Sequence, residues 1–356
     1  MDSFALAGWA PLAALLVSLA LTRTVIGVAR RYRLVARPKA DRWHQTPTAL
    51  FGGVAIFATV AAGCLLLLSS PVYAQRYDLF GLLAGGLIVF LVGLSDDIRP
   101  LRPKVKLMGQ ILAALPFLWG IGRLYTYGWG AFAMSAPVLL LWMVGLTNAF
   151  NLLDNMDGLC GGAAVIVGVI LTAFCLLHKL PETGLLAALV AAACLGFLAF
   201  NFRAWEKEPV ARIFMGDCGS LFLGYMLAGL TIIAVSNSQT DKTGAVALPL
   251  LIMALPIFDT TLVSIIRRLE GRAISQGGKD HSSHRLVYTG LTSKQAVLVL
   301  HAISLVGGIA AICVAKLHDP PITVVTAALY AIGLFGFGIF LSRFSDAPIA
   351  VTPALE

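Results

Sequence analysis

Four short segments of the sequence combine carboxylates with amides, imidazoles or basic side chains, and each adjoins a long apolar run. An ionisable group beside a membrane span is costly, so each segment is a functional candidate. Taken singly, each also has a structural alternative, because its acids could mark a membrane boundary or cap a helix. The segments are SDDIRPL with Asp96 and Asp97, NAFNLLDNMDGL with Asn148, Asn151, Asp154 and Asp157, FMGDCGS with Asp217, and GGKDHSSHRL with Lys279, Asp280, His281, His284 and Arg285.

A site that mixes carboxylates with cations favours chemistry on a phosphorylated substrate. Carboxylates alone would repel a phosphate, so their presence beside lysine, arginine and histidine implies a bridging divalent ion. Mg²⁺ fits best because it takes hard oxygen ligands, and Asp217 and Asn151 offer such oxygens; Mn²⁺ is the alternative. Phosphoryl transfer uses such a metal. A proton relay in a multi-span secondary transporter is the competing hypothesis, but it would place its acids near the bilayer midplane.

Membrane helices must carry these segments. Of the 356 residues, 58% are hydrophobic and 12% are charged, and the mean hydropathy is +0.86, whereas soluble domains carry about 25% charge. This excludes an ordinary water-soluble enzyme. Eleven apolar runs predict one all-α, polytopic membrane domain over residues 1–356, a bundle of 10 to 11 transmembrane helices. The runs are Phe4–Leu21, Leu50–Ser69, Leu79–Leu94, Val105–Ile121, Ala136–Leu153, Gly158–Leu177, Leu185–Phe200, Ser220–Val235, Val246–Ile266, Ala296–Val314 and Val324–Leu341.

The distribution of basic residues predicts how this bundle is oriented. Lysine and arginine in short loops stay on the cytoplasmic side, and one orientation puts 21 of the 26 there. In that orientation the amino terminus is outside and all four polar segments face the cytoplasm. The net charge of +8 could bind anionic lipid headgroups or a phosphorylated substrate. Nucleic acid is not expected as a partner, because the sequence shows no soluble basic domain to hold it.

The four segments, in this order and at these positions, resemble the motifs of the polyprenyl-phosphate N-acetylhexosamine-1-phosphate transferases of glycosyltransferase family 4. This superfamily includes the WecA-like enzymes, the MraY translocases and the eukaryotic dolichyl-phosphate enzyme. The resemblance runs from about Arg30 to Leu341. It implies that a polyprenyl phosphate attacks the sugar-bearing phosphorus of a UDP-sugar, releasing UMP and leaving a polyprenyl diphosphate sugar in the membrane.

The same resemblance implies a role for each matching residue. Asp217 and Asn151 correspond to the Mg²⁺ ligands, and Lys106 to a contact with the diphosphate. The paired acids Asp96 and Asp97 either order the lipid phosphate or accept a proton. Ordering is favoured, because a phosphate monoester has a second pKa of about 6 and is largely ionised without a base. The remaining implied residues are Asp154 in the catalytic group, Asp157 and Phe214 at the uracil, Asn201, His281, His284 and Arg285 at the nucleotide, diphosphate or sugar, and Arg42 and His44 in the loop after the first span.

Departures from the family pattern narrow the choice within it. Ala36 stands where the WecA-like pattern has an aspartate before Pro38, and Ser283 interrupts the histidine motif. The segment from Asn201 to Asp217 is longer than in MraY. The expectation is a WecA-like enzyme of a bacterial plasma membrane, using UDP-N-acetylglucosamine and undecaprenyl phosphate for cell-envelope glycan synthesis. Another UDP-N-acetylhexosamine or UDP-N-acetylmuramoyl-pentapeptide is the alternative donor, and the number of subunits, a homodimer included, is left open.

Overall fold

The computed structural model describes residues 3–36, 48–68, 76–122, 129–202, 211–238, 240–273 and 278–344. The predicted all-α membrane fold is confirmed, since helices dominate this part of the chain and its one sheet pairs two-residue strands, β1 (Val35–Ala36) and β2 (Thr48–Ala49), antiparallel. The helices are α1 (Ser3–Arg31), α2 (Gly52–Leu68), α3 (Tyr77–Ile98), α4 (Pro103–Gly122), α5 (Trp129–Leu153), α6 (Leu159–Leu177), α7 (Pro181–Asn201), α8 (Asp217–Asn237), α9 (Lys242–Ile252), α10 (Ala254–Leu269), α11 (Ser282–Tyr288), α12 (Ser293–Leu317) and α13 (Pro320–Ser342).

The number of membrane spans differs slightly from the eleven apolar runs. Within the described residues, 9 helices are long and apolar enough to cross a bilayer, or up to 10 if the bent pair α9 and α10 forms one span. The second run corresponds to α2, which is apolar but only 17 residues long. Every run therefore falls on a helix or on the bent pair, whereas the orientation of the bundle stays a prediction.

The ninth run, Val246–Ile266, corresponds to two helices instead of one. It is broken at Met253, where α9 and α10 meet at a bend of 72°. Pro256 contributes to the break. Pro256 has no amide to donate to the carbonyl of Ile252, and its ring would clash with that carbonyl in a continuous helix. The bend sets α10 at a steep angle to α9.

Helix α8 forms the centre of the bundle. Its 18-residue apolar window is completely buried, and α3, α5 and α2 pack around it. Small residues permit the closest of these approaches: a Cβ added to Gly93 of α3 would lie 2.6 Å from the Cα of Cys218. The two backbones thus touch where α3 ends and α8 begins. This contact brings the acids at the end of α3 beside Asp217.

Candidate active site

Asp97 fixes the amino end of α8. Its carboxylate accepts a hydrogen bond from the backbone N–H of Asp217 at 2.8 Å and another from that of Cys218 at 3.0 Å. These N–H groups have no partner within their own helix, and the helix dipole favours a negative charge at this end. The first residue of α8, Asp217, is therefore held in place by an acid from the end of α3.

The ammonium group of Lys106 lies among oxygens from three other helices. Lys106 Nζ donates to Oδ2 of Asp217 and, at 3.3 Å, to Oδ2 of Asp96. It also donates to Oδ1 of Asn151 at 3.1 Å. The other oxygen of Asp96 accepts from the backbone N–H of Leu101 at 2.5 Å. Residues far apart in sequence, on α3, α4, α5 and α8, thus meet around one cation.

A layer of amides and hydroxyls supports this cluster. Asn151 Nδ2 donates to Oδ1 of Asp217 at 2.9 Å and is 3.0 Å from Oγ of Ser220. One turn deeper, the amides of Gln110 and Asn148 bond to each other, with Nε2–Oδ1 and Nδ2–Oε1 distances of 3.2 and 2.6 Å. Each amide thus donates one hydrogen bond to the other, as buried polar groups require. The pair fastens α4 to α5 directly behind the cluster.

The aspartates of the fifth-span segment do not share one helix face. The spacing by three residues would align Asn151, Asp154 and Asp157 if the helix continued, but α5 ends at Leu153. Only Asn151 therefore projects from the helix, and both aspartates lie in the turn that leads to α6. The turn nevertheless keeps Asp154 close enough to Asp217 for the two carboxylates to repel each other.

Asn201 holds this turn against the segment that precedes α8. Its side chain is buried; Oδ1 accepts from the backbone N–H of Gly158 at 2.7 Å, and Nδ2 donates to the carbonyl of Ile213 at 2.9 Å. Gly158 has a φ of +81°, which favours glycine there. The backbone N–H of Phe214 in turn donates to the carbonyl of Ala49 at 2.8 Å. Both polar atoms of the Asn201 side chain thus bond to backbone groups, and Phe214 is fixed beside β2.

Asp154 and Asp157 have raised pKa values although their side chains keep accessible surface. Loss of hydration to the surrounding protein, followed by repulsion from Asp217, Asp157 and Asp97, raises the pKa of Asp154 to about 8. Loss of hydration raises the pKa of Asp157 to about 6, against a lowering hydrogen bond from the backbone of Ala211. Nearby carboxylates therefore add to the raised pKa of Asp154, whereas that of Asp157 comes from lost hydration alone.

In chelating buffer, we expect the contribution of Asp154 to the stability of the folded protein to be lost as the pH rises from about 4 to about 8. A carboxyl whose pKa is raised by folding stabilises the folded state while it is protonated, and that contribution is lost as the pH passes through the folded-state pKa. Asp154→Asn removes the titrating group, so the variant should lose less stability over this interval. Thermal unfolding midpoints of both proteins from pH 5 to 9 test this; parallel profiles would contradict it.

The histidine segment is attached to α10 and to the aspartate turn. His281 Nδ1 is 2.8 Å from Oδ2 of Asp259, and the other oxygen of Asp259 accepts from the backbone N–H of Ser282 at 2.8 Å and from its hydroxyl at 2.6 Å. Ser283 Oγ donates to Oδ1 of Asn155 at 2.5 Å. Asn155 belongs to the turn that carries Asp154. The histidines therefore lie against the aspartate turn.

A buried ion pair holds the residue just before these histidines. Arg267 of α10 donates to both oxygens of Asp280, at 2.9 and 2.8 Å, and Arg272 donates to one of them at 2.8 Å. Burial alone would raise the pKa of Asp280, but the hydrogen bonds and charge of Arg267 hold it to about 2. Because Arg267 is itself buried, each member of the pair depends on the other for its counter-charge.

His284 and Arg285 occupy different surroundings on α11. His284 is buried, with its ring centroid 5.8 Å from that of His281, and burial followed by the charge of His281 lowers its pKa to about 4. Its imidazole is therefore neutral at physiological pH. Arg285 donates to the carbonyls of Asp280 and Phe344, at 2.9 and 2.5 Å. The described contacts of Arg285 thus hold the loop and the end of α13 rather than bringing its guanidinium to the carboxylates.

The structure also brings to the site three polar residues that are not among the candidates from the four sequence segments. Asp259, Gln110 and Ser220 each bond to a residue singled out from the sequence. Asp259 carried a signal, since an aspartate within an apolar run is costly, whereas Gln110 and Ser220 carried none. Arg42 and His44 lie outside the described residues.

The donor set around Lys106 suits a hard divalent cation. Among the described residues, no three of the types His, Cys, Asp and Glu converge as a preformed metal cage. What converges instead is carboxylate oxygen from Asp217, amide oxygen from Asn151 and a second carboxylate from Asp96, all within reach of one ammonium. A few protein oxygens, completed by water and substrate phosphate, are the set that Mg²⁺ prefers.

Fold and site together define a polytopic membrane protein with an acid-rich polar site at the ends of its central helices. The family model described as glycosyl transferase family 4 matches residues 79–235, which include the whole Lys106 cluster. A Bacillus subtilis protein named probable undecaprenyl-phosphate N-acetylglucosaminyl 1-phosphate transferase is 34% identical over 312 residues, covering 84% of this chain and 82% of its own. The chain belongs to glycosyl transferase family 4, as its motifs suggested.

Two further relatives are similar over most of the chain. A Mycobacterium tuberculosis protein named decaprenyl-phosphate N-acetylglucosaminephosphotransferase is 28% identical, covering 82% of this chain and 78% of its own. A Heliobacterium modesticaldum protein named phospho-N-acetylmuramoyl-pentapeptide-transferase is 32% identical, covering 67% of this chain and 78% of its own. The names of the Bacillus subtilis and Mycobacterium tuberculosis relatives share N-acetylglucosamine and differ in the polyprenyl phosphate, whereas the Heliobacterium modesticaldum name gives N-acetylmuramoyl-pentapeptide.

Proposed function

We propose that this protein transfers N-acetylglucosamine-1-phosphate from its UDP derivative to undecaprenyl phosphate in a Mg²⁺-dependent reaction. The products are UMP and a polyprenyl diphosphate sugar. One anhydride is exchanged for another, so no energy source is needed. The names of the two relatives that act on N-acetylglucosamine support this donor over UDP-N-acetylmuramoyl-pentapeptide. We place the site at the cytoplasmic face of a bacterial plasma membrane, on the distribution of basic residues.

The observation that carries this proposal is the meeting of Asp96, Lys106, Asn151 and Asp217 at the ends of membrane helices. The donor is water-soluble and the acceptor is anchored in lipid, so the reaction needs a site where water and bilayer meet. Ends of apolar helices satisfy that requirement. The cluster combines hard oxygens with a cation, which suits a diphosphate whose charge must be neutralised.

Each residue of the cluster has a distinct task in this scheme. Asp217 and Asn151 would hold Mg²⁺, which when bound neutralises charge on the phosphate oxygens. Lys106 contacts the diphosphate of the donor. Asp96 orients Lys106, and Asp97 orients Asp217 through the backbone of α8. Both acids thus act as ordering residues, in keeping with an acceptor phosphate that is already largely ionised at neutral pH.

UMP release from a panel of UDP-sugars, with undecaprenyl phosphate as acceptor, tests the proposal. We expect release with UDP-N-acetylglucosamine, dependence on Mg²⁺ with Mn²⁺ as a partial substitute, and none without the lipid phosphate. Faster UMP release from UDP-N-acetylmuramoyl-pentapeptide would show that the proposed donor sugar is wrong and that the reaction class is right. No UMP from any donor in the panel would refute the class.

A further inference from the structure

Asp259 has a carboxylate buried inside the membrane bundle, and all its described hydrogen bonds join it to the histidine segment. It lies on α10 with no exposed surface, where a charge is costly unless it is fully hydrogen-bonded. Oδ1 accepts twice from Ser282, and Oδ2 faces Nδ1 of His281 at 2.8 Å. All these partners belong to the loop that carries the histidines. The carboxylate therefore serves that loop and not its own helix.

The residues around His281 are held one by one. Arg267 binds Asp280, Asp259 binds His281 and Ser282, and Asn155 binds Ser283. Four consecutive residues, from Asp280 just before α11 to Ser283 in its first turn, are thus attached to side chains of the bundle or of the aspartate turn. A loop that merely connected two helices would need no such succession of contacts. The arrangement instead fixes the direction in which the imidazole of His281 points.

The contact also decides which ring nitrogen of His281 carries a proton. An ionised carboxylate only accepts hydrogen bonds, so the nitrogen facing Asp259 must donate. That nitrogen is Nδ1. Nε2 is then the nitrogen left for substrate, whether the ring is neutral or cationic. A carboxylate behind a histidine sets its tautomer and orientation in this way in hydrolases and metal sites.

We infer that Asp259 is a positioning residue, which holds the proton of His281 on Nδ1 and directs Nε2 towards the diphosphate or sugar of the donor. The inference rests on the proposed function for the identity of that substrate. It assigns to α10, set at its angle by the bend at Met253, the task of supporting the histidine loop.

Asp259→Asn is the sharpest test because it preserves size and most hydrogen bonds while reversing the preferred tautomer. Asn Oδ1 can still accept from Ser282, so Nδ2 would face His281 and donate to Nδ1. Nε2 would then carry the proton of a neutral ring. We expect UMP release to fall by between about 10-fold, the low end for losing the partner that orients a functional histidine, and about 10⁴-fold, the loss when the histidine of a hydrolase is held in the wrong tautomer. The KM for undecaprenyl phosphate should change little.

Two further measurements separate positioning from loss of structure. Asp78→Asn is the matched control, since Asp78 is equally buried but pairs with Arg76 at the start of α3; its folded fraction should keep wild-type turnover. Nitrogen-15 spectra of histidine-labelled protein, which has 6 histidines, report the tautomer directly. The His281 signals are assigned by their loss in His281→Gln. We expect protonated Nδ1 in the wild type and protonated Nε2 in Asp259→Asn.

The failure of the inference and the failure of the proposed function give different experimental outcomes. An unprotonated Nδ1 in the wild-type protein would overturn the inference without any variant, as would wild-type turnover in folded Asp259→Asn. An equal loss of turnover in Asp78→Asn would show that any buried carboxylate matters, and would also overturn it. If the wild-type protein releases no UMP, the proposed function fails, while the nitrogen spectra still determine whether Asp259 fixes the tautomer.

Discussion

Asp217→Asn is expected to lower Mg²⁺-dependent UMP release by about a thousandfold or more while leaving the bundle folded. A bound metal contributes several kcal/mol of charge stabilisation, and each 1.36 kcal/mol is a factor of ten in rate. Asparagine keeps the shape of the side chain, and its oxygen can still meet Lys106 or Asn151. It removes one of the negative charges that would retain the metal. Titration of Mn²⁺ into the protein, followed by electron paramagnetic resonance, should show weakened binding in parallel with the loss of turnover.

The control for Asp217→Asn is another aspartate at the start of a helix. Asp241 caps α9 by accepting from the backbone N–H groups of Thr243 and Gly244, both at 3.1 Å. Asp241→Asn tests whether the loss of a helix-start carboxylate by itself reduces turnover, and we expect wild-type rates. Wild-type metal binding in Asp217→Asn would remove Asp217 from the metal site and with it the central element of the proposed mechanism.

The membrane architecture could be predicted from the sequence because apolar run length is a local property. Each of the eleven runs corresponds to a helix or to the bent pair, and the position of the bend could not be read from run length. Pro256 contributes to the bend, yet Pro116 and Pro137 lie inside helices that continue through them. Whether a proline bends or breaks a helix is decided by packing against other helices, which no local pattern contains.

The sequence predicted which residues meet in the cluster around Lys106, but not which partner each side chain of the site bonds to. Asp96, Asn151 and Asp217 share a cluster with Lys106, as their placement at span ends suggested. Their roles stay predictions. The role of Arg285 at the substrate also stays a prediction, and its described donors meet backbone carbonyls. In sequence, a basic residue beside histidines looks the same whether it faces a phosphate or backbone carbonyls. Only the fold shows where each guanidinium N–H donates.

The ammonium of Lys106 would compete with a bound divalent ion for the same oxygens. This group contacts oxygens of Asp217 and Asn151, the same residues proposed to hold Mg²⁺. A cationic side chain and a divalent ion cannot both take full advantage of the same oxygens, since they repel each other at close range. The lysine should therefore weaken metal binding. Once the metal is bound, the ammonium of Lys106 should leave these oxygens and contact the diphosphate.

Lys106→Met tests this exchange, because methionine retains the length of the side chain and removes the charge. We expect Mn²⁺ to bind on the order of tenfold more tightly, which corresponds to about 1.4 kcal/mol of extra stabilisation at saturating metal. Turnover should fall by about 10- to 100-fold, the cost of losing one hydrogen bond to a charged group. Lys106→Arg keeps the charge and should leave metal affinity near the wild-type value. Weaker metal binding in Lys106→Met would mean that the lysine organises the oxygens for the metal instead of competing with it. The geometry of the cluster predicts the opposite result, tighter metal binding combined with slower turnover.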